Sequence, residues 1–112
     1  MADARLLEPS VTILGLEPSH RACSLNGNSF QQDAIASFNG WQYAVLYTSS
    51  AGGPPEPLYV HLGRRKLPNG PWQILSFDDY PQTADDSHNT AQLGVCHGDG
   101  TVHVSFDHHC DV

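Results

Sequence analysis

Asp33-Ala-Ile-Ala-Ser-Phe-Asn-Gly-Trp-Gln-Tyr-Ala-Val-Leu-Tyr47 is the stretch that decides the fold. Short alternating runs flank Asn39-Gly40, the period-two pattern of a half-buried strand. Asn-Gly is the strongest short hairpin signal, because both central residues of a type I′ turn need φ > 0. The run therefore predicts two antiparallel strands, 33–38 and 41–47. Beyond a Gly/Pro-rich loop (Ser49 to Pro57), Leu58-Tyr-Val-His-Leu-Gly-Arg-Arg65 predicts a third strand. A turn at Pro68-Asn69-Gly70 then leads to a fourth, Trp72 to Phe77. The four form a meander. Upstream, Val11 to Leu16 predicts a leading strand closed by Glu17-Pro18.

Downstream, a polar loop (Asp78 to Ser87) leads into a second hairpin. Its first strand is predicted at about His88 to Cys96 and its turn at His97-Gly98-Asp99-Gly100. Its second strand is predicted at Thr101 to Asp107. The two hairpins read as repeats at a period of about 56 residues, and one four-stranded meander per such period is the mark of a β-propeller blade. The competing fold is a six-stranded sandwich with two hairpins alike by chance. The favoured class is all-β: antiparallel four-stranded meander blades in a partial β-propeller, about one and a half blades of a larger ring. Residues 1–112 then form a single incomplete propeller segment, with a first blade at about 32–77 and the first half of the next at 88–112. Propellers typically have four or more blades, so the chain is expected to be a piece of a larger protein.

Composition agrees with one turn-rich β-type domain: 112 residues, ten Gly, eight Pro and 15% charged residues. No apolar run approaches the roughly 20 residues needed to span a bilayer. Five Lys+Arg against twelve Asp+Glu give a formal charge of −7, which argues against nucleic acid or a membrane surface as partner. The first residues hold no apolar core of signal-peptide length. The cysteines Cys23, Cys96 and Cys110 are odd in number, so one disulfide or three free thiols both fit.

The densest chemical signal is Asp86-Ser-His88-Asn-Thr with Ser105-Phe-Asp-His108-His109-Cys110. A register centred on Gly98-Asp99 sets His88 opposite His109 and Asn89 opposite His108, as near neighbours across the hairpin. Three imidazoles then gather at one sheet edge, able to act as acid, base or ligand around neutral pH. Against that stands a surface histidine cluster with no role. A zinc set of His88, His108, His109 and Cys110 has the right ligand types, but its spacing matches no compact zinc motif, and no metal ligands are assigned. His103, in mid-strand, is expected to be structural, and His97, in the turn, solvated. Arg64-Arg65-Lys66 reads either as a contact for an acidic sugar or, preferably, as a charged edge that discourages strand pairing. The aromatic residues fit packing better than sugar stacking, with Tyr80 the one candidate ligand contact.

Asn69-Gly70-Pro-Trp72 resembles a degenerate Asp-box turn of sialidase-like blades, which is architectural. Larger strings carry a fuller resemblance: Ser24-Leu-Asn-Gly-Asn-Ser-Phe-Gln-Gln-Asp-Ala34, Arg64-Arg-Lys-Leu-Pro-Asn-Gly-Pro-Trp-Gln73, Asp85-Asp-Ser-His-Asn-Thr90 and Gly98-Asp-Gly-Thr-Val-His-Val-Ser-Phe-Asp-His-His-Cys110. Over about residues 22–112 the chain resembles the N-terminal part of the BNR repeat-containing family. That family includes seven-bladed propeller lyases of uronate-containing glycans, of the ulvan and rhamnose–glucuronate type. The resemblance implies β-elimination on an acidic polysaccharide or oligosaccharide, outside the cell. It implies His88 and His108 as the catalytic pair, with Asn89 and His109 near the substrate. It also brings a Tyr and an Arg from later blades, which have no counterpart in these residues, so the chain is expected to be inactive alone. No cofactor is required, although such propellers can carry a cation in the central channel. A carbohydrate-binding or purely structural propeller piece is the alternative.

Overall fold

The computed structural model describes residues 7–109. Six strands and no helix occur among them: β1 (Ile35–Phe38), β2 (Trp41–Ser49), β3 (Leu58–Lys66), β4 (Gln73–Ser76), β5 (Gln92–Val95) and β6 (Val102–Ser105). β1 to β4 form one antiparallel meander in chain order, and β5 and β6 form a separate two-stranded sheet. This is the all-β, partial-propeller architecture that the sequence predicts: one four-stranded blade and the first hairpin of a next.

Turn chemistry sets the first hairpin. Asn39 and Gly40 have φ of 51° and 80°, so β1 and β2 pair from Phe38↔Trp41 outward. Where β1 ends, the Asn26 side chain takes over the pairing. Its Oδ1 accepts from Tyr47 N (2.7 Å) and its Nδ2 donates to Tyr47 O (2.8 Å). Between β3 and β4, the Asp-box-like turn depends on Gly70, where a Cβ would lie 2.6 Å from the Lys66 carbonyl oxygen.

The core follows the pleat. Register pairs Tyr47 with Val60 and Ser49 with Leu58, so Val45, Tyr47, Leu58 and Val60 share the buried face. Leu25 joins them from the loop before β1, and Ala91 and Leu93 from the second hairpin. The two sheets therefore share one core, as neighbouring blades do. They are also tied through the backbone, with Leu93 N donating to Asp33 O at 2.7 Å.

Several expectations change. Val11–Leu16 forms no strand. The segment lies against the opposite face of the first sheet: Gly15 approaches Leu46 and Thr48, Trp72 Nε1 donates to Thr12 Oγ1, and Thr48 Oγ1 donates to the Leu16 carbonyl. Side-chain contacts with a sheet face replace ladder bonds, and Val11, Ile13 and Leu16 remain exposed. Arg64 and Arg65 are not on an edge, because β3 runs between β2 and β4. Their guanidiniums sit over Trp41 and Trp72 at 5.0 and 4.9 Å, in cation–π range. His97 is not simply solvated but stacks on Phe38, centroids 4.7 Å apart. The hairpin repeat is also looser than a fixed period, since Asn39-Gly40 alone closes the first turn whereas residues 96–101 close the second.

Candidate functional site: an imidazole–carboxylate cluster

Asp86 opens a tight turn. Its Oδ1 accepts from His88 N at 2.9 Å, and its carbonyl accepts from Asn89 N at 3.2 Å. This is how a short side chain acceptor competes for backbone donors. The segment before it is anchored from afar. The Asp85 carboxylate accepts from Ala22 N and Cys23 N at 3.0 and 2.9 Å. Arg21, its side chain 5% exposed, binds Glu56, Gln82 and the Ala84 carbonyl. After the turn, Asn89, Thr90 and Ala91 are buried and lead into β5.

The second hairpin returns to the same place. Its register, Gln92↔Ser105 to Val95↔Val102, is the one centred on Gly98-Asp99, but the strands are shorter than predicted, and the rings of His88 and His109 meet beyond the end of the ladder. β6 ends at Ser105, and two residues on the chain bends at Asp107, which has φ 46°. Tyr47 fixes that bend from the first blade: its hydroxyl donates to Asp107 Oδ1 and accepts from Asp107 N, both at 3.1 Å. Burial, followed by the Asp107 charge, pushes the Tyr47 phenol far above its ordinary range. Next along, the buried Asn89 side chain accepts from His109 N at 2.7 Å.

The result is one carboxylate between two rings. His88 Nδ1 lies 2.6 Å from Asp86 Oδ1, and His109 Nδ1 lies 2.9 Å from Asp86 Oδ2. The ring centroids are 4.6 Å apart at 45°. Phe30 stacks along His88 at 6.1 Å. The amide of His88, then its ring and that of His109, hold the Asp86 carboxyl down to about 2. Ionised Asp86 orients both rings through their Nδ1–H groups, which leaves each Nε2 with a lone pair. Such a ring can accept a proton.

The other predicted residues are placed differently. His108 is exposed and lies outside the Asp86 pair. Asn89 holds the His109 backbone, and its Nδ2 is buried without a hydrogen-bond partner. Tyr80 is half-buried and packs edge-on against Phe106 at 5.3 Å. His103 is exposed and shares a 2.9 Å hydrogen bond with Thr101 Oγ1. Cys23 and Cys96 are free thiols, and Cys110 lies outside the described residues. Asp86 is the residue that sequence reasoning missed as a site member. The signal was there in Asp86-Ser-His88, an acceptor two residues before an imidazole.

The family model described as "BNR repeat-containing family member" matches residues 41–112. The chain belongs to the BNR repeat-containing family. The match takes in β2 to β6 and the His88 and His109 positions, so this BNR chain carries its imidazole cluster within the matched region. A comparison with curated proteins gave no match.

Proposed function

We propose that this BNR chain supplies the imidazole side of a site that cleaves uronate-containing glycans by β-elimination. The observation that carries the reading is the Asp86-held His88. A base must remove the proton on the carbon α to the sugar carboxylate, and an acid must protonate the leaving glycosidic oxygen. His88 Nε2 takes the α-proton, the C–H electrons form the new carbon–carbon double bond, and the C–O bond breaks. His108, the second imidazole implied by the resemblance, gives a proton to the departing oxygen. Asp86 fixes the tautomer and orientation of His88 and stabilises the imidazolium formed, while His109 completes the carboxylate's hydrogen bonds. Neutralisation of the uronate carboxylate is assigned to Tyr and Arg groups that the resemblance places in later blades.

The test follows the ultraviolet absorbance of the unsaturated uronate product, with ulvan or gum arabic side chains as substrate. It uses this 112-residue chain and any longer parent reading frame side by side. Activity in the parent, lost in H88A and H108A with binding retained, supports the reading. Loss in H109A but not H108A would reassign the acid to His109. Silence from chain and parent alike, with glycan binding intact, would leave a carbohydrate-binding propeller instead.

A further inference from the structure

Asp86, His88 and His109 each present a ligand atom, and those atoms lie within 4.8 Å of one another. Two imidazole nitrogens and one carboxylate are a donor set for Zn2+ and its transition-metal neighbours. Ca2+ and Mg2+ favour oxygen-only surroundings. Three side chains from two hairpin ends converge because the backbone is already fixed on both sides. The Asp86 turn sets the spacing of Asp86 and His88, and the buried Asn89 oxygen holds the His109 amide. Phe30 lies along the His88 ring. Little rearrangement is needed to bring three ligands onto one ion. The side chains of His88 and His109 remain 65% and 47% exposed, so the fourth direction faces solvent.

We propose that Asp86, His88 and His109 form an open, three-ligand site for a divalent transition metal, with Zn2+ as the type ion. Both imidazoles bind through Nδ1, and each ring proton moves to Nε2 as the ion replaces the Nδ1–H hydrogen bond. One Asp86 oxygen supplies the third bond, and water or an anionic ligand takes the open position. A metal on His88 Nδ1 leaves Nε2 protonated and unable to accept a substrate proton. Metal occupancy and the base role of His88 therefore exclude each other. The site stands on its own geometry and does not need the elimination reading to hold.

The experiment titrates the 112-residue chain, without glycan, with ZnCl2 by calorimetry and with CoCl2 by visible absorbance. One equivalent of either ion is expected to bind. Affinity should fall roughly tenfold or more in H109A and in D86N; the Asn substitution keeps an acceptor for the turn. H103A and H108A should bind as the parent does. In the imidazole NMR spectrum Zn2+ should shift His88 and His109 and leave His20 and His61 in place. No saturable binding, binding that survives both D86N and H109A, or an equal loss in H108A would overturn the site. None of these results depends on lyase activity, so failure of one reading is separable from failure of the other.

Discussion

The two hairpins are built on the same antiparallel plan and put to different uses. In the first, Asn39-Gly40 closes the tightest of turns, and β2 continues for nine residues into a full blade. Its Val45 and Tyr47 are core residues. In the second, residues 96–101 make a wider turn, β5 and β6 have four residues each, and both open ends are polar. The two ladders have four pairs each, but β2 runs on along β3 into the core. β5 and β6 stop together and leave their ends free to carry exposed polar groups. The join between them is Tyr47, a core side chain of the first whose hydroxyl sets the bend at the end of the second. Stability and site geometry meet at that phenol.

That contrast can be broken most severely at the site. H88A in an active parent should lower the elimination rate by about 10²–10⁴-fold, the usual worth of a positioned acid–base group. The unfolding midpoint should stay nearly unchanged, because His88 is exposed. The mirror-image experiment is Leu58→Ala in the first blade. Loss of this fully buried side chain should cost about 2–5 kcal/mol in urea unfolding.

Tyr47→Phe probes the join. It leaves the buried Asp107 carboxylate and amide without the hydroxyl they share, a loss of about 1–3 kcal/mol. NMR of the His109 resonances should shift in the same variant, whereas Val45→Ala should lower stability and leave them in place. The two turns can then be compared directly. Gly40→Ala forces a side chain into φ 80° and should cost roughly 1–2 kcal/mol. Gly98 is exposed, and a Cβ there would meet Cys96 Sγ at an ordinary 3.8 Å, so Gly98→Ala should stay within about 0.5 kcal/mol.

The smallest effect concerns acid. The Arg21 guanidinium, with a lesser part from His20, lowers the Glu56 carboxyl from 4.5 to about 2. A carboxylate held lower in the folded state contributes stability above its unfolded value and loses it as pH falls through the folded one. Stability should therefore decline between about pH 4.5 and 2, with a shallower decline in Glu56→Gln. Glu56 is 41% exposed, so solvent screening keeps the difference modest. Unfolding curves at stepped pH would measure it. An identical slope in the variant would remove Arg21–Glu56 as the source.

Much of the fold was legible because strand signals are local. Alternation, Asn39-Gly40 and the turn at Asn69-Gly70 mark β1 to β4 to within a few residues at each end. The register of the second hairpin was legible for the same reason, since a centred turn fixes Gln92↔Ser105 to Val95↔Val102. His88 and His109 meet beyond that ladder, where the Asp86 turn and the bend at Asp107 direct the chain. The segment 11–16 misled because alternation also describes an extended chain lying on a sheet face. Nothing local says whether its backbone will find an edge to bond.

Sequence by itself determined the all-β meander and the second hairpin's register, since each follows from turn position and a period of two. Only the tertiary structure decided that Asp86 would stand between the rings of His88 and His109, that Tyr47 would reach Asp107, and that Arg64 and Arg65 would lie on Trp41 and Trp72. These contacts join residues in loops, on neighbouring strands and in different sheets. They depend on where buried anchors such as Arg21 and Asn89 pull the chain, and no short-range pattern encodes that position.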